Sequence, residues 1–145
     1  MRILLINGPN LNMLGQREGT IYGSETLDSI IKKMKNSALS MNIELDHFQS
    51  NSESDLVTFI QDNANSSEGI IINAGALTHY GLSLKDALID AHIPIVEVHI
   101  SNIHSREAYR RNSVVAPIAL GQIIGMGPKG YIYALEVLYD YLQVN

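Results

Sequence analysis

The stretch Ile3 to Gly23, ILLINGPNLNMLGQREGTIYG, changes character abruptly after its first five residues. Ile3, Leu4, Leu5, Ile6 and Asn7 make a short β-prone run that reads as a buried parallel strand, and the Gly8-Pro9 pair cannot continue it. The chain then enters a polar loop that carries Asn10, Asn12, Arg17, Glu18 and Tyr22 before a helical pattern starts near Ser24. Connections longer than about 12 residues are usually functional or disordered, and this one is too apolar in places for disorder. A buried strand feeding a long chemical loop is the beginning of an α/β fold with its site at the strand ends.

Outward from that loop, apolar runs of strand length alternate with segments of helical period. Leu27, Ile30, Ile31, Met34, Ala38 and Met41 recur at i, i+3, i+4, i+7, i+11 and i+14, which predicts a helix with Lys32, Lys33 and Lys35 on a solvated face. A strand over residues 43–49 follows, then a helix with Leu56, Phe59 and Ile60, then the strongly apolar strand 69–73. Leu84 to Ala91 read as a helix, Pro94 through Val98 as a fourth strand, Arg106 to Arg111 as a short helix and Ile118 to Ile124 as a fifth strand before a C-terminal helix. The pattern predicts one domain over residues 1–145, a doubly wound, flavodoxin-like sheet of five parallel strands with helices on both faces.

Composition narrows the function. The 145 residues are 46% hydrophobic, enough for one ordinary core. A net charge of -5 offers no basic face for nucleic acid or anionic membrane, so an anionic ligand must be met by a local cluster. The absence of cysteine excludes disulfides, thiolate nucleophiles and zinc-thiolate sites, and permits a reducing compartment. The first apolar run stops at Ile6, shorter than the roughly 7 to 15 residues of a signal-peptide core, and no run approaches the roughly 18 of a membrane helix; a cytoplasmic location is the expectation.

In doubly wound sheets ligands bind beyond the carboxyl ends of the strands, so the residues there form one set. They are Asn10, Arg17 and Tyr22; Gln49, Ser50 and Asn51; Asn73, Gly75 and His79; and Glu97, His99 and Ser101. Glu97 and His99, two apart in a strand, project from one face, which suits a carboxylate that orients an imidazole and raises its pKa; a structural ion pair is the alternative. Tyr22 is the candidate base. Lowering its pKa of about 10 by about three units takes roughly 4 kcal/mol, which Arg17 could supply from within about 4 to 6 Å; Tyr22 as a loop anchor beside a solvated Arg17 is the bland reading. Arg106, Arg110 and Arg111 form a second cationic cluster, with Arg106 and Arg110 on one helical face. Four of the ten basic residues thus lie in or beside the inferred site loops, which favours a small anionic substrate, with the backbone amides of Ile100 and Ser101 as carboxylate donors.

What is missing is also informative. The lysines, at 32, 33, 35, 85 and 129, all fall on inferred helices or a helix start, so none suits a Schiff base at the strand ends. No HExxH or clustered His/Asp spacing occurs, His99 and His104 are weak evidence for a metal, and metal-independent chemistry without a cofactor is expected. Gly125-Met-Gly-Pro-Lys-Gly130 matches G-x-G-x-x-G, but too few residues follow for a dinucleotide-binding unit, and a tight strand-to-helix turn is the better reading.

NGPNLNMLGQREGTIYG, FQSNSESDLVTFIQ, GIIINAGALTHYGLSLKDAL, PIVEVHISNIHSRE and GYIYALEVL together resemble type II 3-dehydroquinate dehydratase over essentially the whole chain. The resemblance implies dehydration of 3-dehydroquinate to 3-dehydroshikimate, in the shikimate or quinate pathway, by anti elimination through an enolate, with neither imine nor metal. By position it implies Tyr22 as the base at C2, Arg17 as its activator, Asn10 as holder of a water at the enolate oxygen, and His99, oriented by Glu97, as the acid at the C1 hydroxyl. Asn73, His79 and Arg110 are implied as binders of ring substituents, Ile100 and Ser101 of the carboxylate, and Asp86 as reaching a neighbouring subunit's site. Trimers assembled into dodecamers are implied too. Gly19 and Ala74 depart from prolines common in the family, and a carboxylate-binding homologue without turnover is the competing reading.

Overall fold

Five parallel strands, β1 (Arg2–Asn7), β2 (Glu44–Gln49), β3 (Gly69–Asn73), β4 (Ile95–His99) and β5 (Gly121–Ile124), lie in the order β2-β1-β3-β4-β5. The computed structural model describes residues 1–16 and 24–145. Among the described residues four α-helices cover the sheet: α1 (Leu27–Ser40), α2 (Glu53–Asn63), α3 (Leu82–Asp90) and α4 (Gly130–Val144). Side-chain alternation divides the core in two. Ile3, Leu5, Ile71, Val96 and Val98 pack with Ile30 and Met34 of α1 and with Tyr131, Leu135 and Leu138 of α4. Leu4, Ile6, Ile70, Ile72 and Ile95 pack on the opposite side with Leu56 and Ile60 of α2 and with Leu84 and Leu88 of α3. Apolar residues at both parities are why the central strands read as unbroken hydrophobic runs, and each such side chain, fully buried, contributes about 1.5–3 kcal/mol.

Local chemistry sets the element ends. Thr26 Oγ1 accepts from Ser29 N at 3.1 Å, so α1 begins at Leu27 and not near Ser24. Glu53 at the start of α2 accepts from Leu84 N at 3.1 Å, tying the first turn of α3 to α2. The fifth strand is shorter than its apolar run: Pro117 lies in a 3₁₀ turn, Ala116–Ile118, and pairing starts only at Gly121. The predicted helix near Arg106 to Arg111 is a single 3₁₀ turn, Ala108–Arg111, closed by Arg110 N to Glu107 O at 3.0 Å, with Arg106 in extended backbone before it. The glycine-rich segment after β5 is a tight turn, Gly125 and Gly127 having φ of +81° and +63°, that delivers the chain into α4.

Candidate active site

The chain leaves β1 for the outer strand β2 and crosses back to β3, so a topological switch point lies between β1 and β3. Two turns meet there in near contact. A Cβ on Gly8 would lie 2.3 Å from the Ala74 carbonyl oxygen, and one on Gly75, at φ +59°, would lie 2.9 Å from Pro9 O. Beyond Pro9, Asn10 adopts a left-handed conformation, φ 68°, and its backbone N–H donates to Asn51 Oδ1 at 2.9 Å. Gln49 Nε2 lies 3.2 Å from both Gly8 O and Asn51 Oδ1, so the end of β2 holds the loop in place.

Over this floor is a pocket of about 130 Å³. The ends of β1 and β3 give it Asn10 and Asn73, the turn after β3 gives Gly75 and His79, and the end of β4 gives His99, Ile100 and Ser101. Arg106 and Arg110 close one side, each less than one-fifth exposed. A larger cleft of about 480 Å³ between α1 and α4 is lined by Ile30, Met34 and Ile132 with a Lys33–Glu25 ion pair, and gathers no acid–base group of comparable burial. The smaller pocket gathers a buried imidazole and two guanidinium groups.

A buried carboxylate–imidazole pair beside it is built on β4. Glu97, wholly buried, and His99, 5% exposed, lie on the side of the sheet that faces α2 and α3. His99 Nε2 is 2.7 Å from Glu97 Oε1. The same carboxylate accepts from the buried Thr78 hydroxyl and from Gln122 Nε2 at 2.8 Å, while Ser113 Oγ lies 2.9 and 3.0 Å from its two oxygens. Burial pushes the Glu97 pKa up, but the hydrogen bond and charge of His99 with the Thr78 and Ser113 hydroxyls outweigh it and hold the carboxyl below its ordinary value. An ionised carboxylate only accepts, so Nε2 carries a hydrogen and Nδ1 is the ring nitrogen left for a ligand.

The opposite side of the sheet carries a neutral polar chain. Asn7 and Asn73, opposite each other as the last residues of β1 and β3, both reach the phenol of Tyr131 on α4. Tyr131 OH donates to Asn7 Oδ1 at 2.6 Å and accepts from Asn73 Nδ2 at 2.9 Å, while Asn7 Nδ2 is 3.1 Å from His47 Nε2. Burial pushes the Tyr131 phenol far above its ordinary pKa and lowers that of His47 to about 4, so both are neutral.

On the cationic side, His79 Nδ1 donates to Asn112 O at 2.7 Å, and its ring meets Tyr109 edge-on at 5.8 Å. Arg110 lies over the Tyr109 ring at 4.9 Å and donates to Glu107 at 2.5 Å. Arg106 Nη1 donates to Ser101 Oγ at 3.1 Å. The pocket therefore joins two guanidinium groups to an oriented imidazole.

Of the residues singled out from sequence, Asn10, Asn73, His79, His99, Ile100, Ser101 and Arg110 line this pocket and Glu97 lies directly behind His99. Asp86 is exposed on α3 and is not brought to it. Arg17, Tyr22 and Gly19 lie outside the described residues. Arg106, in the sequence one member of a cationic cluster, lines the pocket from extended backbone. Thr78, Ser113 and Gln122 were missed; a glutamate inside an apolar strand is the signal that buried donors must exist, and only Gln122, which pairs with Glu97 in register, has a position that signal reaches. No lysine lines the pocket, and among the described residues no three metal-ligating side chains cluster.

A flavodoxin-like sheet with a carboxylate-bound histidine and two arginines around a pocket at its strand ends is a frame suited to chemistry on a small anionic molecule. Residues 1–139 match the model of the family described as dehydroquinase class II. The chain is 50% identical over 142 residues to 3-dehydroquinate dehydratase of Halothermothrix orenii, covering 98% of this chain and 96% of that protein. It is 56% identical over 136 residues to 3-dehydroquinate dehydratase of Herpetosiphon aurantiacus, covering 94% of each. The crystal structure of type II dehydroquinase from Butyrivibrio crossotus superposes with a TM-score of 0.92 at 47% identity, over 95% of this chain and 97% of that one. The chain belongs to the class II dehydroquinase family.

Proposed function

We propose that this chain is a hydro-lyase that dehydrates 3-dehydroquinate to 3-dehydroshikimate in the shikimate pathway, by anti elimination through an enolate. The observation that carries this reading is the buried Glu97–His99 pair, 2.7 Å apart, at the wall of a pocket that also holds Arg106 and Arg110. In the proposed sequence Tyr22, held as the phenolate by Arg17, takes the proton from C2 as the electrons move onto the ketone oxygen. A water held by Asn10 supports that oxygen. The enolate then collapses and expels the C1 hydroxyl, which leaves as water with the proton from Nδ1 of the His99 imidazolium, leaving the ring neutral with its Nε2 hydrogen on Glu97. Arg110, His79 and Asn73 bind ring substituents, the backbone amides of Ile100 and Ser101 bind the carboxylate, and Asp86 serves a neighbouring subunit's site. The steps use no metal, cofactor or imine. The same reading includes one domain over residues 1–145, a cytoplasmic location and trimers assembled into dodecamers.

The test is the ultraviolet absorbance of purified protein mixed with 3-dehydroquinate, with chelator and borohydride as controls. Appearance of the conjugated enone in both controls is the expected result. No enone from a folded protein that binds 3-dehydroquinate would leave a carboxylate-binding homologue without turnover.

A further inference from the structure

The neutral chain behind the pocket has a fixed direction. Asn73 Oδ1 accepts from the backbone N–H of Gly75 at 3.1 Å. A backbone N–H can only donate, so the Asn73 amide cannot be turned the other way without stranding it. Its nitrogen must therefore face Tyr131, which accepts at 2.9 Å and must in turn give its single hydrogen to Asn7 Oδ1 at 2.6 Å. That leaves Asn7 Nδ2 as donor to His47 Nε2 at 3.1 Å, which accepts only as a neutral imidazole. Four side chains from β1, β2, β3 and α4 thus share one polarity, anchored at the tight turn after β3. At the pocket end sits Asn73, 3% exposed, with two amide hydrogens of which Tyr131 takes one.

We propose that Tyr131 and Asn7 are positioning residues for the dehydratase, fixing the Asn73 amide so that its second N–H faces the pocket as donor to an oxygen of the substrate ring. The inference rests on the function proposed above. Tyr131 sits in the apolar stripe of α4, where a phenylalanine would fill the same core space; its hydroxyl is spent wholly on the two asparagines. Without that hydroxyl Asn73 keeps only its bond from Gly75 N–H, about which the amide can swing, and the second N–H loses its aim at an oxygen lone pair of the ring.

A double-mutant cycle on turnover of 3-dehydroquinate tests this. Tyr131→Phe is expected to raise KM about tenfold with kcat changed less than about twofold, as loss of one well-placed hydrogen bond acting equally on ground and transition states. Asn73→Ala is expected to raise KM at least as much, and the double variant is expected to match Asn73→Ala alone, because Tyr131 acts only through Asn73. Unchanged KM in Tyr131→Phe, or effects that multiply in the double variant, would overturn the proposal. If Tyr131→Phe fails to fold, Asn7→Leu combined with Tyr131→Phe replaces both partners of the shortest bond by apolar groups, and that pair takes the place of Tyr131→Phe as one arm of the cycle with Asn73→Ala, with the same criteria. A wild type that binds 3-dehydroquinate without turnover overturns the function alone, and the cycle is then read as Kd by calorimetry; one that neither binds nor turns it over overturns both.

Discussion

The two sides of the sheet end in polar clusters of opposite kind. On the side facing α2 and α3, the last residues of β4 carry a charge, Glu97, met by His99, Thr78, Ser113 and Gln122. On the side facing α1 and α4, the last residues of β1 and β3 carry none, and Asn7, Asn73, Tyr131 and His47 share hydrogen bonds in a single direction. A buried carboxylate must be surrounded, because each uncompensated lone pair in a dry site costs free energy, whereas a neutral chain needs only matched ends. The charged cluster is thereby suited to moving a proton, and the neutral one to holding a donor still. One sheet edge supplies both because alternate residues of a strand face opposite layers.

The comparison is broken most severely by substitutions at the two pocket ends. His99→Ala should lower kcat about 10² to 10⁴-fold, with exchange of the C2 hydrogen for deuterium surviving, whereas Asn73→Ala should act chiefly on KM. Loss of exchange as complete as the loss of dehydration would show that the charged side does more than release the hydroxyl. Next in size is stability. Glu97→Leu strips four donors of their acceptor and should cost about 3–5 kcal/mol in urea denaturation. Tyr131→Phe, in the neutral chain, should cost only about 1–2 kcal/mol, and equal losses would erase the distinction between charged and neutral burial.

Acid sharpens the same contrast. The folded pKa of Glu97 lies below its ordinary value of 4.5, so its stabilising contribution is complete above that value and is lost as pH falls through the folded value. Glu97→Leu should remove that lower limb from a plot of denaturation midpoint against pH. A second acid limb belongs to His47, whose pKa falls from 6.5 to about 4 through burial and Lys35, against the opposing pull of Asp28 and Asp46. The unfolded chain binds its proton first, so stability should decline as pH drops from 6.5 toward 4 and then level off. His47→Gln, which keeps an acceptor for Asn7, should flatten that limb; an unchanged slope would place the titration elsewhere.

Much of this arrangement was legible in the chain. Apolar runs of strand length, separated by helical periods, specify a parallel sheet covered on both faces, since no other packing buries them. The spacing of Glu97 and His99 specifies a shared face, because strand periodicity is local and survives any tertiary context. Arg106 and Arg110 were legible as a cluster for the wrong local reason: they meet at the pocket across an extended residue and a 3₁₀ turn, not along a helix. The overlong fifth strand errs similarly, since apolar content signals burial while Pro117 decides backbone pairing.

The sequence by itself determined the layers, the strand-end set and the pairing of imidazole with carboxylate, all of which follow from periodicities of two and 3.6 and from side-chain chemistry. Only the tertiary structure decided which donors surround Glu97 and which phenol joins Asn7 to Asn73. Those partners lie 16 to 25 residues from Glu97 in the case of Ser113, Thr78 and Gln122, and 58 and 124 residues apart in the case of Tyr131 with Asn73 and Asn7. A hydrogen bond at such separation leaves no period in the chain: Tyr131 reads as one more apolar stripe residue until the helix is laid on the sheet and its hydroxyl reaches both asparagines.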